Sequence, residues 1–530
     1  MPTREGGTAA LNQETNNSTK TISTVMLITL LGKVLGLLRD RLLAINYGTG
    51  LEASAFFTAS RIPRVFFDAV FASAISACFI PVFSGYMTRE GKQKAMGFAG
   101  TFLTVMGVLT AVLSVVGMGL AEPLVRLFAA GYDARTTQLA VELTRIMFPT
   151  VLFTGIAFSF VGVLQSLDEF GIPALISTVS NLFIIGYYFT LNDRFGIYGL
   201  AVAFLLAWLV QALVQLPALG KRGFRYRPGF DWRGEGMRQV FALMLPVMVS
   251  TWVQPINLTV NSRFGSYLYN GAGVAAIENA TNLYLIIAGV FVLSVTNVIF
   301  PKLSRQSARG EGDAFRDTLS QTTHATLFFV LPMSAGLMTL ARPLVSFVFG
   351  GGEFDAFSVD ITAQGLVWVS LGMAGYAVQN ILSRAYFARQ DGRTPLVAGA
   401  VSIGVNVALC AVLVGRLQVA GLAVASAVSS TVYALLLLLP LEADGQRIFK
   451  RAFWAGVLKM LAATALMALV CVLLSGGLSG VLPAGKLGEL VLLAVTAGVG
   501  VGVYFLAALA LGLDEAKLAA GFAKRLLKRG

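Results

Sequence analysis

The sequence predicts an all-α polytopic membrane protein with 14 transmembrane helices, built as two six-helix lobes related by an internal repeat plus two extra C-terminal helices. Three observations predict it. Of the 530 residues 56% are apolar and 13% charged, with a mean hydropathy of +0.75; a soluble domain carries about 25% charged residues, so a soluble enzyme, a disordered chain and a fibrous protein are excluded. The apolar residues gather into long stretches, each able to supply the ~20 residues that cross ~30 Å of hydrocarbon. The second half of the chain also repeats motifs of the first.

The stretches follow one another between polar or Gly/Pro-containing turns. Residues 1–21 are polar and lack the short basic start of a cleavable signal; they read as a disordered cytoplasmic tail. The first lobe, 22–220, holds spans at 22–47, 53–86, 95–120, 136–167, 172–192 and 196–219. The second, 237–442, holds spans at 237–264, 272–300, 316–341, 357–388, 395–415 and 418–441. The last two spans, 451–476 and 486–512, form a unit over 451–512, and 513–530 is a basic cytoplasmic tail. Several stretches exceed the minimum length, which predicts tilt or protruding ends.

Lysine and arginine orient the chain. With the N-terminus in the cytoplasm, the segments on that side carry 26 of the 40 Lys and Arg, and the opposite side carries 7. This positive-inside bias, with an even helix count, places both termini inside. It also accounts for the net charge of +13, which in a soluble chain would suggest nucleic acid. The three cysteines, Cys78, Cys410 and Cys471, stand in apolar runs without metal-ligand spacing, and His324 is the only histidine. They read as core-filling residues, and a multi-histidine metal centre is excluded.

Five collinear matches make the repeat. FIPVFS at 79–84 answers IFPKLS at 299–304, Pro123 to Val125 answers Pro343 to Val345, Pro173 answers Pro395, GLAVA at 199–203 answers GLAVA at 421–425, and Leu216-Pro217 answers Leu439-Pro440. The offset drifts only from 220 to 223. Six helices is an even number, so the halves share one orientation, as in parallel-repeat transporters that work by alternating access. A channel fits less well, because no selectivity-filter loop recurs.

The informative residues are charges inside spans, where each costs at least ~2.5–3.5 kcal/mol and so faces a cavity or a partner. Helix 1 carries Lys33, Arg39, Asp40 and Arg41; helix 2 carries Arg61, Arg64 and Asp68 on one stripe, with Pro63 placed to kink it. Later spans carry fewer, among them Arg145, Glu142, Arg263, Glu278 and Arg384. Lys33, Arg39, Arg61 and Arg64, with Arg263, suit an anion, a phosphate-bearing ligand best, since arginine forks bind phosphate oxygens in pairs. Asp40, Asp68 and Glu278 are candidates for ion pairing, gating or ion coupling. The segment Gly480 to Leu487 nearly spells a phosphate-binding loop but ends in Leu487 where Ser or Thr is required, and no soluble segment is large enough for an ATPase. No cofactor, metal or ATP is expected. The energy source is a membrane potential or an ion gradient, the ion being unassigned.

The residues LGKVLGLLRD at 31–40, Phe56-Phe57, Arg61 to Pro63, IFPKLS at 299–304 and YFARQDGRTP at 386–395 resemble the MurJ (MviN) lipid II flippase family, of the multidrug/oligosaccharidyl-lipid/polysaccharide exporter superfamily. The resemblance runs from about residue 22 through helix 12. It implies two lobes with a cationic central cavity and residence in a bacterial inner membrane. The implied substrate is undecaprenyl-diphosphate-linked peptidoglycan precursor, flipped to the outer leaflet. It also implies a groove for the lipid tail at helices 13 and 14, and cell-wall synthesis machinery as partner. Lys33, Arg39, Arg61, Arg64 and Arg263 would then hold the diphosphate. The chain departs from the family at Lys33, Ser54, Phe67, Ser262 and Asn282, where Arg, Asp, Arg, Arg and Arg are usual. Alternatives are a flippase for another undecaprenyl-diphosphate-linked glycan, of capsule or O-antigen type, and then a MATE-like drug/cation antiporter, which a basic cavity disfavours. A membrane scaffold would have no use for the charges of helix 2.

Overall fold

A computed structural model describes residues 4–68, 78–251, 253–442, 447–483, 485–518 and 521, with side chains described from residue 25 onward save 245–254. Among them there is helix and no strand, one isolated bridge between Gly351 and Phe354 excepted. The helices are α1 (Arg4–Tyr47), α2 (Leu51–Phe67), α3 (Ile80–Arg89), α4 (Lys92–Gly119), α5 (Ala121–Phe128), α6 (Ala134–Met147), α7 (Thr150–Ser166), α8 (Gly171–Thr190), α9 (Asn192–Lys221), α10 (Glu235–Thr251), α11 (Val253–Gly265), α12 (Ala272–Tyr284), α13 (Val290–Ala308), α14 (Gly312–Thr339), α15 (Ala341–Phe349), α16 (Ala356–Leu371), α17 (Met373–Ala388), α18 (Arg393–Glu442), α19 (Arg451–Ser479) and α20 (Lys486–Ala510).

Every expected stretch falls on helix; residues 69–77 of the second lie outside the described residues. Among the described residues eight helical segments, α6–α7 and α12–α13 each counted as one, are long and apolar enough to cross a membrane, or up to ten if the bent pairs α14–α15 and α16–α17 each count as one span. The 50-residue α18 is one of the eight, yet it holds two of the expected stretches, because it doubles back at Gln418. Ser402 Oγ lies 2.9 Å from Ser429 Oγ and the Tyr433 hydroxyl donates to the Pro395 carbonyl at 3.1 Å, pairing its arms as a hairpin. The N-terminal tail differs from expectation: α1 is helical from Arg4 onward. Once a spanning helix is nucleated, adding residues to its end is cheap. Of the basic C-terminal tail, Lys524, Arg525, Lys528 and Arg529 lie outside the described residues.

The chain divides into two units: residues 1–43, 55–128 and 133–255, and residues 44–54, 129–132 and 256–530. The expected start of the second lobe at 237 therefore falls inside the first unit. The reason is packing. Met237, Val240 and Met244 of α10 enter an aromatic core with Phe79, Phe98 and Phe102, where ring centroids of Phe79 and Phe102 stand 4.4 Å apart. A Cβ on Gly236 would lie 2.7 Å from the Phe98 ring. In the second unit the Tyr504 hydroxyl donates to the Phe328 carbonyl at 2.7 Å, fixing α20 on α14. His324 Nδ1 lies 2.5 Å from Glu515 Oε1 beyond α20, and this contact holds the Glu515 carboxyl below its ordinary value. Cys78, Cys410 and Cys471 are buried free thiols.

The repeat reappears as backbone geometry inside each unit. Asp133 caps α6 by accepting from the Thr136 amide, and Asp355, 222 residues on, caps α16 by accepting from the Ser358 amide. Asp168 and Gln390, again 222 apart, both take positive φ, at 58° and 61°. Gly196 turns the chain at φ 52°, ψ −144°, and Gln418 does so at φ 51°, ψ −127°. That region suits glycine and costs other residues about 1–3 kcal/mol. Gln418→Gly is therefore expected to raise the thermal midpoint of the purified protein and Gly196→Ala to lower it; an unchanged midpoint in both would show no strain at these turns.

The loop before α18 carries a second local device. Asp391 accepts from the Arg393 and Thr394 amides at 2.9 and 3.1 Å and from the Thr394 hydroxyl at 2.6 Å. Partial burial pushes its carboxyl up, but these bonds outweigh it and hold the group below 3.8. A depressed carboxylate contributes stability that is full above the unfolded value and is lost as pH falls through the folded one. Asp391→Ala should thus cost about 1 kcal/mol at neutral pH. The difference from wild type should fade in acid, as followed by midpoints across a pH series.

Candidate functional site

In the first unit the charges expected from the sequence sit on α1 and α2, and α8 decides what they can do. Arg39 gives Nε and Nη2 to Asp40 Oδ1 at 3.0 and 2.7 Å, and Nη1 to Asn181 Oδ1 of α8 at 3.0 Å. Asn181 in turn donates Nδ2 to the Gly32 carbonyl at 3.0 Å. The helices approach closely because Gly32 and Gly36 carry no side chain: a Cβ there would stand 3.2 Å from Thr178 Oγ1 and 3.4 Å from Asn181 Nδ2. The fork of Arg39 is thus occupied by protein oxygens, and Asp40 is buried as its ion-pair partner. This arrangement positions α1 on α8.

Lys33, one heptad before Asp40 on α1, is exposed, and Arg61 is half-buried. Arg64 differs from both: its side chain is 78% exposed, and its Nε reaches Asp68 Oδ2 at 3.3 Å. Pro63 is buried; α2 continues through it to Phe67, and a π-type turn follows at Asp68. Lys33, Arg61 and Arg64 therefore lie in one unit on neighbouring segments. Arg263 and Glu278 belong to the second unit, on α11 and α12, both half-buried.

The second unit supplies polar groups that the charge pattern missed. Asn257 of α11 faces Asn406 of α18 at 3.1 Å, and Asn261 Nδ2 donates to Ser426 Oγ at 3.0 Å. Asn181 and Asn406 are both buried amides that tie a later helix to the one opening the unit. Their sequence signal was an asparagine inside an apolar span, where an amide demands a partner. Among the described residues no three His, Cys, Asp or Glu cluster as a metal site.

Many apolar helices, repeated local geometry and charged residues within spans define a multi-pass membrane protein. The fold is shared with an inward-facing multidrug resistance MATE family transporter of the MOP superfamily, at a TM-score of 0.65 and 15% identity over 78% of this chain and 96% of that one. A sequence profile described as "Lipid II flippase MurJ" matches residues 43–495, and the chain belongs to that family. It is 30% identical over 443 residues to the probable lipid II flippase MurJ of Vibrio cholerae, covering 81% of this chain and 84% of that protein. It is also 30% identical over 440 residues to the lipid II flippase MurJ of Burkholderia cenocepacia, with the same shares covered. A solved structure of lipid II flippase MurJ in an inward closed conformation superposes at a TM-score of 0.76, with 23% identity, over 92% of this chain and 99% of that one.

Proposed function

We propose that this chain flips lipid II, the undecaprenyl-diphosphate-linked peptidoglycan precursor, from the inner to the outer leaflet of a bacterial cytoplasmic membrane by alternating access. Both termini lie in the cytoplasm in this reading. Family membership supports the substrate class. The observation that carries the site is Arg64: a guanidinium 78% exposed within an apolar span needs an aqueous space or an anionic ligand, because lipid would not tolerate it. Lys33, Arg61, Arg64 and Arg263 would hold the diphosphate, and Arg39 would hold α1 in place through Asp40 and Asn181. The isoprenoid tail would run along α19 and α20, where Trp454, Leu458 and Leu473 are exposed. Asp68 and Glu278 would serve as ion-pair or coupling groups, with a membrane potential or ion gradient as the driving force and cell-wall synthesis machinery as partner.

Complementation tests the reading. In a bacterium depleted of its resident lipid II flippase, expression of this chain is expected to restore growth and lipid II exposed on the outer leaflet. A well-inserted chain that restores neither would move the assignment to another undecaprenyl-diphosphate-linked glycan, with Lys33 in place of an arginine as the first departure to revert.

A further inference from the structure

An apolar groove lies in the first unit, apart from the charged residues of α1 and α2. The middle stretches of α4 and α7 and the C-terminal end of α9 border a groove of 550 Å³ walled by Leu103, Val108, Ile156, Phe160 and Leu216. Two glycines, Gly107 and Gly220, lie in its lining, and a Cβ on either would meet open space. Beyond α9 the chain turns at Gly223 (φ 86°) and runs as an extended strap along α4. Phe224 anchors it in the core. The Gly229 amide donates to Thr104 Oγ1 at 3.4 Å, and that hydroxyl lies 3.0 Å from the Tyr226 hydroxyl. Gly100 lets the strap lie close, since a Cβ there would stand 2.7 Å from the Arg227 carbonyl.

The strap is basic and aromatic. Lys221, Arg222, Arg225, Arg227 and Arg233 are exposed, against the single acid Asp231. Arg222 is engaged by Glu169 at 2.7 Å and by the Leu167 carbonyl at 3.1 Å. Arg225 and Arg227 flank Tyr226, which lines the groove. Tyr226, Phe230 and Trp232 are exposed, and the Arg233 guanidinium sits 4.7 Å from the Trp232 ring centroid. Exposed aromatics interleaved with arginine at the end of a span mark the headgroup level of a bilayer. The lysine and arginine bias puts this end in the cytoplasm, where the leaflet is anionic.

We infer that this groove binds an anionic diacyl phospholipid, with one acyl chain between α4, α7 and α9 and the phosphate at Arg225 and Arg227. The apolar walls recognise the chain and the arginine pair the phosphate; a zwitterionic lipid would meet the same walls, but its ammonium offsets the phosphate charge and would face the arginines. The inference does not depend on what the protein transports.

The test uses the purified full chain in a neutral detergent, titrated with phosphatidylglycerol and, separately, phosphatidylcholine, with bound lipid read by native mass spectrometry. Wild type is expected to prefer phosphatidylglycerol. Arg225→Gln/Arg227→Gln should weaken phosphatidylglycerol by about thirtyfold, each arginine near an anionic headgroup being worth about 1 kcal/mol, and weaken phosphatidylcholine, whose ammonium offsets its phosphate, by much less. Gly107→Leu fills the groove without backbone conflict and should weaken both lipids at least tenfold, with an unchanged thermal midpoint in lipid-free detergent. Equal affinity of wild type for the two lipids overturns the inference. So does wild-type phosphatidylglycerol binding by Gly107→Leu, which would reduce the site to a charged surface.

Discussion

Arg64→Ala is expected to abolish the appearance of lipid II on the outer leaflet while leaving the chain inserted and folded. The structural loss is small. The one ion pair broken is an exposed i, i+4 contact at 3.3 Å, of a kind worth about 0.3–0.5 kcal/mol. The functional loss is large, because a charge-assisted hydrogen bond contributes about 1.5–3 kcal/mol and an arginine fork makes two to one phosphate. At about 3 kcal/mol in total, binding falls more than a hundredfold. Arg64→Lys keeps the charge and loses the paired geometry, so an intermediate rate is expected. Flipping is read from lipid II accessible at the outer leaflet, with expression and detergent midpoint as controls. Wild-type flipping by Arg64→Ala would remove the residue from the site. Asp68→Asn separates the two roles open to that carboxylate: an ion-pair partner should tolerate the change, and a coupling group should not.

Gly117→Val is expected to unfold the first unit or lower its thermal midpoint sharply. Gly117 of α4 faces the ring of Phe148, and a Cβ there would stand 1.9 Å from Cε1 and 2.1 Å from Cζ. Phe148 is fully buried, and its ring centroid lies 6.0 Å from that of Phe66, so the ring has little room to retreat. Overpacking of this kind costs about 1–3 kcal/mol and can exceed it. A membrane helix gains its association largely from close packing at small residues, which sharpens the effect. The double variant Gly117→Ala/Phe148→Leu should recover part of what Gly117→Ala alone loses. If the second change adds its own loss without recovery, the two positions do not share one space.

The sites show what could be read early. The charges of α1 and α2 stand out in a chain only 13% charged, so Lys33, Arg39, Arg61 and Arg64 are visible as candidates without coordinates. Their roles are not equally visible. Arg39 is held by Asn181, 142 residues away, and nothing local distinguishes its committed fork from the exposed one of Arg64. Pro63 stands inside α2, which continues to Phe67.

The sequence alone determined the helical class, the fourteen stretches, the charge bias and the repeat. Each of these depends on partition between water and hydrocarbon, on local backbone preference or on inheritance of a duplicated segment, and so can be read in a window of one span or by sliding the chain against itself. Only the tertiary structure decided that α10 packs into the first unit, that Asn181 takes up Arg39, and that Gln418 adopts the backbone geometry of Gly196. Those outcomes depend on which surfaces fit closely enough to exclude lipid and satisfy buried polar groups. That fit is made between helices far apart in the chain, where no single window of sequence contains both faces.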